Sequence, residues 1–170
     1  YIELAPQAFA TSSSADFKTG DIYALPFADA SYDLVMSNNV LLHLPSIKKP
    51  LQELCRVARR HVLVRTLVGE RSFRIQEVRG SGDEFHDNGE PHEFAYFNIY
   101  SRTYIEYLLG SIPLVKSWQI VPDRDFDKNR IAEAATEQPD APNVTTMIGG
   151  WQANRYILQP WSFIEVEIAR

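Results

Sequence analysis

The sequence is short of the features that announce most functions. It has one cysteine in 170 residues, Cys55, so no intramolecular disulfide can form and the fold must rest on burial and hydrogen bonding. No apolar run approaches the ~20 residues that a membrane-spanning helix needs. The start lacks the basic-then-apolar order of a secretory leader, so the expectation is a cytoplasmic protein with no membrane partner. Basic charge is scarce too: 17 Lys and Arg stand against 22 Asp and Glu, a net charge of −5. The densest basic patch is Arg59-Arg60 beside His61, which argues against a nucleic-acid partner. There is no Gly-x-Ser-x-Gly nucleophile turn and no Gly-x-x-x-x-Gly-Lys-Ser/Thr phosphate loop. Repeats and low-complexity tracts are missing as well.

What is present is an ordinary globular composition, 45% hydrophobic and 23% charged, sufficient for one buried core. The most informative stretch is Gly20 to Leu44. Ser31-Tyr32-Asp33 leads into Leu34-Val35-Met36, an apolar run of the kind a parallel strand covered on both faces shows. The run stops at Ser37-Asn38-Asn39, three short polar side chains at the carboxyl end of the strand. In open α/β sheets ligands bind in the crevice outside such ends.

Gly20-Asp21, Ala24-Leu25-Pro26-Phe27, Tyr32-Asp33-Leu34-Val35 and Asn39-Val40-Leu41-Leu42-His43-Leu44 follow one another in an order that resembles the class I S-adenosylmethionine (SAM) dependent methyltransferases. The nearest subgroup is the small-molecule, type 11-like one. The resemblance covers residues 1 to 68 well and the remainder in outline. It implies an α/β, Rossmann-like sheet, mostly parallel with an antiparallel C-terminal edge. It implies SAM as cofactor and a small-molecule methyl acceptor. Glu3, followed by Leu4-Ala5-Pro6, is similar to the acidic end of the family's second strand, where one carboxylate accepts from both ribose hydroxyls. Asp21 and Ile22 take the positions that bind the adenine amino group and pack on its ring. Ser37, Asn38 and Asn39 fall where the methionine end lies. The family's glycine-rich loop has no counterpart from Tyr1 onward, so the expectation is a domain without its N-terminal βα unit, belonging to a longer protein.

Along the rest of the chain, Ser46 to about Arg59 has helical spacing, with Ile47, Leu51, Leu54, Cys55 and Ala58 on one face and Ser46 placed as N-cap. Lys48, Lys49, Gln52, Glu53, Arg56 and Arg59 fall mostly off that face. His61 to Val68 reads as the next buried strand. Residues 69–100 are rich in aromatics and read as an insertion or lid, with Phe94, Tyr96, Phe97 and Tyr100 as candidate walls of an acceptor pocket; a core or dimer contact fits them equally. Residues 101–170 contribute a helix capped by Ser101, a strand over Ser117–Pro122, a short helix near 131–137 and closing strands over Arg155–Gln159 and Ser162–Ile168. The whole is one domain, 1–170.

Methyl transfer from a sulfonium centre asks mainly for alignment, worth on the order of 7–11 kcal/mol in the best intramolecular models. His43 is the candidate base, with a reference pKa of about 6.5; a positioning role fits it as well. Asp83, Glu84, His86, Asp87, Glu90, His92 and Glu93 have the chemistry of a metal cluster, but without the i, i+4 histidine spacing they read as a solvated loop, and no metal is expected. Two other readings stand beside the enzyme: a non-catalytic domain of the same fold serving as an interaction or dimerisation module, and a nicotinamide-dependent oxidoreductase.

Overall fold

The computed structural model describes residues 15–78, 85–123 and 161–170, and the backbone of three short strands within 145–159. The expected strand at Tyr1–Leu4 and the helix near 131–137 lie outside the described residues. The elements are β1 (Tyr32–Asn38), a 3-10 turn (Leu41–His43), α1 (Lys48–Val57), β2 (Ala58–Gly69), β3 (Gln76–Val78), β4 (Phe94–Tyr96), β5 (Tyr100–Ser101), α2 (Arg102–Gly110), β6 (Val115–Pro122), β7 (Thr145–Ile148), β8 (Trp151–Asn154), β9 (Ile157–Gln159) and β10 (Trp161–Ile168).

The main sheet runs β1-β2-β10-β6, and the short β5 also pairs with β2. β1 and β5 run parallel to β2, while β10 is antiparallel to both β2 and β6. This is the mixed α/β sheet with an antiparallel C-terminal edge that the sequence implied. The edge partners differ from expectation: β6, not the 155–159 segment, lies beside β10, and β9 belongs to a separate sheet, β7-β8-β9. Ile164, Val166 and Ile168 point into the core, whereas Phe163 shares the other face with Glu165 and Glu167. Period two decides this, since 163 and 166 cannot share a face.

β2 is central because its alternate residues Val62, Val64 and Val68 are apolar and β-branched, and all three are buried. They meet Leu51, Leu54 and Cys55 from α1 and Ile105, Leu108 and Leu109 from α2. Fully burying side chains of this size contributes about 1.5–3 kcal/mol each. Cys55 is wholly buried, and that burial pushes its thiol up to about 12, so it stays a protonated packing group.

α1 is shorter than its periodicity suggested. Ser46 is not its cap: Tyr23 Oη donates to the Ser46 carbonyl at 2.8 Å, and helical geometry begins only after Ile47. Pro50 sits in the first turn, where its missing N–H leaves no ladder bond unmade. Ala58 turns extended at φ −76°, ψ 138°, and Arg59 joins β2 rather than the helix. α2 begins as expected, with Ser101 Oγ accepting from the Tyr104 amide at 3.2 Å.

One expectation about β1 is corrected. Leu34 and Met36 are 50% and 53% exposed, so the strand is not covered on both faces among the described residues. Both helices pack on the face that carries Val35 and Ser37, and β2 is the only partner strand described. No helix among the described residues is long and apolar enough to cross a membrane.

A candidate cofactor site at the strand tips

The carboxyl ends of β1 and β2, the start of β10 and the end of β6 lie at one end of the sheet, because Ser37 pairs with Val64, Trp161 with Leu67 and Ser162 with Pro122. Beneath the β1 tip opens a cavity of about 470 Å³ lined by Gly20, Ile22, Val35, Ser37, Asn38 and Leu54 among others. Its wall is mostly hydrocarbon. Ser37 is 5% exposed and its Oγ has no hydrogen-bond partner among the described residues. A buried hydroxyl left unmatched costs roughly 1–3 kcal/mol, and Ser37 is the side chain of this wall in that position among the described residues.

The structure thus gathers Ile22, Ser37 and Asn38 around one cavity. Asp21 is exposed between the cavity-lining Gly20 and Ile22, and its Oδ1 accepts from the Tyr23 amide at 2.9 Å, which closes a tight turn. Glu3 and Leu4 lie outside the described residues. Asn39 adopts the left-handed region at φ 59°, which asparagine tolerates better than most residues. Arg65 fixes that conformation from β2: its carbonyl accepts from the Asn39 amide at 3.0 Å and its Nη1 donates to Asn39 Oδ1 at 2.8 Å. Arg65 is in turn held by Asp123 at 2.7 Å and lies 4.1 Å from the Trp161 ring centre.

The 21–29 loop is clamped from below by two residues of α1. Glu53, only 5% exposed, accepts from the Leu25 amide at 3.0 Å, from Arg56 and from Lys49. Arg56 donates to the carbonyls of Leu25 and Phe27 and to Asp29. These bonds, led by the one from Arg56, hold the Glu53 carboxyl down at about 2 against its own burial. The same partners raise the already high pKa of the Arg56 guanidinium. Sequence reasoning left Glu53 and Arg56 on an outward face. The signal that finds them is a Glu-x-x-Arg pair in a helix whose preceding strand is reached through an apolar Leu-Pro-Phe crossing, since that crossing has backbone groups to satisfy.

On the opposite side of the tips, the aromatic segment folds back over the 3-10 turn. Its two passes are stitched by paired bonds between Phe73 and Ile99 and by the Phe97 amide to the Ile75 carbonyl. His43 is exposed, with Nδ1 2.8 Å from the Tyr96 carbonyl and its ring against the edge of Phe97. Tyr96 and Phe97 are half-buried, and Phe94 packs edge-on to Tyr96 on the outer hairpin. Tyr100 is placed differently: it is 6% exposed within the main core, its hydroxyl directed at the carbonyls of Leu41 and Leu44. In the 85–93 loop His86 and His92 stack at 3.8 Å, and no grouping of three His, Cys, Asp or Glu among the described residues converges to hold a metal. Asp83 and Glu84 lie outside the described residues.

Residues 1–64 match the family model described as a methyltransferase domain. No curated protein matches the chain by sequence. Among solved structures the chain is similar to a SAM-dependent methyltransferase from Methanosarcina mazei at 13% identity and a TM-score of 0.55, over 98% of this chain and 76% of that one. It is similar to the Burkholderia thailandensis 1,6-didemethyltoxoflavin-N1-methyltransferase, solved with its acceptor and S-adenosylhomocysteine, at 13% identity and a TM-score of 0.54, over 99% of this chain and 57% of that one. The [4+2]-cyclase SpnF shares the fold at 18% identity and a TM-score of 0.54, over 96% of this chain and 59% of that one. Residues 1–64 thus carry a likeness to a methyltransferase domain, and the chain as a whole shares the fold of solved SAM-dependent methyltransferases.

Proposed function

We propose that the protein transfers a methyl group from SAM to a small-molecule acceptor, with the cofactor across the tips of β1 and its neighbours. The observation that carries this reading is the buried, unmatched Ser37 hydroxyl in an otherwise apolar wall beside Ile22. Ile22 packs on the adenine ring, and the Asp21 carboxylate accepts from its amino group. Ser37, Asn38 and the Asn39 turn face the methionine end, with Arg65 fixing the turn. Glu3 takes the ribose hydroxyls by its likeness to the family pattern. Bound SAM supplies an electrophilic methyl group on a sulfonium sulfur. The chain supplies alignment, exclusion of water and a proton acceptor.

His43 is that acceptor. With the Nδ1 hydrogen donated to the Tyr96 carbonyl, Nε2 carries the open lone pair. It takes the proton the acceptor loses as the methyl arrives, and general-base help of this kind is worth 10²–10⁴-fold. Tyr96 and Phe97 touch His43, with Phe94 edge-on to Tyr96 further out, and such aromatics favour a flat or apolar acceptor. Tyr100 serves the pocket from behind, by fixing the turn that carries His43. The Burkholderia enzyme, whose acceptor is a small heterocycle, supports a small-molecule acceptor here.

Calorimetric titration of the full-length protein with S-adenosylhomocysteine tests the cofactor site. The expected result is saturable heat, weakened at least tenfold by Ile22→Asp. Folded protein that takes up no S-adenosylhomocysteine overturns the proposal. Labelled methyl recovered in small molecules rather than in protein, after incubation with labelled SAM and a metabolite extract, tests the acceptor class.

A further inference from the structure

We propose that Asn98 is the positioning residue for His43, holding it in the tautomer that leaves Nε2 open; the inference rests on the reading of His43 as proton acceptor. Asn98 is completely buried, between half-buried Phe97 and buried Ile99, at the return end of an excursion that is largely exposed between 70 and 94 among the described residues. A buried amide is retained at a cost unless each of its groups is matched. All of them are. The backbone amide donates to the Leu42 carbonyl at 2.9 Å. Oδ1 accepts from the Ile75 amide at 3.2 Å. Nδ2 donates to the Leu44 carbonyl at 2.8 Å and to Tyr100 Oη at 3.2 Å.

These partners fix which end of the amide is oxygen, because Ile75 can only donate and Leu44 can only accept. They also join three pieces of chain: the first pass of the aromatic segment at Ile75, its return at Asn98 to Tyr100, and the carbonyls on either side of His43. Leu42 and Leu44 flank His43 in sequence, so Asn98 grips the turn immediately before and after the histidine. Tyr96, two residues before Asn98, then presents its carbonyl to His43 Nδ1. A carbonyl only accepts, so Nδ1 must hold the hydrogen and Nε2 must be bare. Tyr100 adds a hydroxyl at 3.3 Å from the Leu44 carbonyl and 3.4 Å from that of Leu41. The Asn98 side chain is the direct link from the Ile75 amide to the Leu44 carbonyl, while Arg74 reaches the next carbonyl, that of Pro45, on the exposed side. Without the Asn98 side chain the Tyr96 carbonyl is held less firmly against the imidazole.

The test reads the imidazole directly. Long-range ¹H–¹⁵N correlation on protein labelled with ¹⁵N-histidine, recorded at a pH where His43 is neutral, should show the Nδ1–H form for His43 in the unmodified protein; His43→Gln assigns the signal. In Asn98→Ala the Nε2–H form should become the major one, while the heat of S-adenosylhomocysteine binding stays within about twofold. A residue with only a structural role lowers the melting temperature and leaves the tautomer alone. Should Asn98→Ala fail to fold, Tyr100→Phe withdraws one member of the same network and is expected to give a mixture of the two forms. An Nε2–H signal in the unmodified protein, or Nδ1–H retained in folded Asn98→Ala, overturns the inference. Loss of S-adenosylhomocysteine binding in the unmodified protein would instead count against the methyltransferase reading and leave the tautomer result standing.

Discussion

Two loops flank the strand tips, and they are fastened by opposite chemistry. The 21–29 loop is held by ions: Glu53 and Arg56 reach from α1 to the backbone of Leu25 and Phe27 and to Asp29. The 72–101 segment is held by a neutral amide, Asn98, and a phenol, Tyr100, meeting carbonyls of the 41–44 turn. Both fasteners are almost fully buried at their centre, with Glu53 5% exposed and Asn98 not exposed at all. The difference teaches how each should fail. Removing one half of a buried ion pair strands the other charge, whereas removing a neutral amide strands dipoles only. The ionic clamp is therefore stronger and pH-sensitive. The second clamp is neutral at its buried centre, and its charged bond, from Arg74 to the Pro45 carbonyl, is exposed.

The largest effect should follow from Glu53→Ala. It leaves Arg56 without its buried partner and the Leu25 amide without an acceptor, for a loss of about 3–5 kcal/mol. For a chain of this size that lowers the melting temperature by about 2–4 °C per kcal/mol. The comparison sharpens with pH. The folded-state pKa of Glu53 lies below its unfolded value, so its contribution is fully present above about 4.5 and is lost as the pH falls towards about 2. Melting temperatures recorded between pH 6 and 2.5 should fall in that window for the unmodified protein, and Glu53→Gln should flatten the slope. A slope unchanged in Glu53→Gln breaks the ionic half of the comparison.

Asn98→Ala should cost less, about 1–3 kcal/mol, from the amide and carbonyl groups it strands. Its stability deficit, read by chemical denaturation, should be the same at pH 4 and pH 2.5, across the window in which Glu53 loses its contribution. A deficit that varies with pH breaks the neutral half. The smallest effect concerns Ala30, at the exit of the ionic loop. Its φ of 54° is a left-handed conformation that a Cβ makes costly. Ala30→Gly should stabilise by about 0.5–1 kcal/mol, the relieved strain exceeding the added chain entropy. Destabilisation on denaturant titration would show that the turn is held by its bonds to Arg56 and Arg59 alone.

Much of the framework was legible because it follows periodicity. Val62, Val64 and Val68 announce a central strand, and Ile47, Leu51, Leu54 and Cys55 announce the helix against it. The polar stop at Ser37 to Asn39 marked the carboxyl end of β1, and Ser37 and Ile22 line one cavity. What sequence hid was pairing at long range. Glu53, Arg56, Arg65 and Asn98 look like surface residues, since composition tells nothing of a partner brought to them from 26 to 58 positions away. The misplaced α1 cap has the same cause: Ser46 has a partner in Tyr23, 23 residues earlier. The aromatic excess of 73–107 divides likewise, Tyr100 into the core and Phe94 to the surface, by contacts that spacing cannot show.

The central claim is that the cavity under β1 receives the cofactor through Ser37. Ser37→Ala separates that role from any part in the fold, because the hydroxyl has no partner among the described residues. Calorimetry with S-adenosylhomocysteine, beside a melting curve, should find Ser37→Ala as stable as the unmodified protein or slightly more so, yet binding about tenfold more weakly, a difference of about 1.4 kcal/mol. Equal affinity in the two proteins, each folded and saturable, would contradict the account.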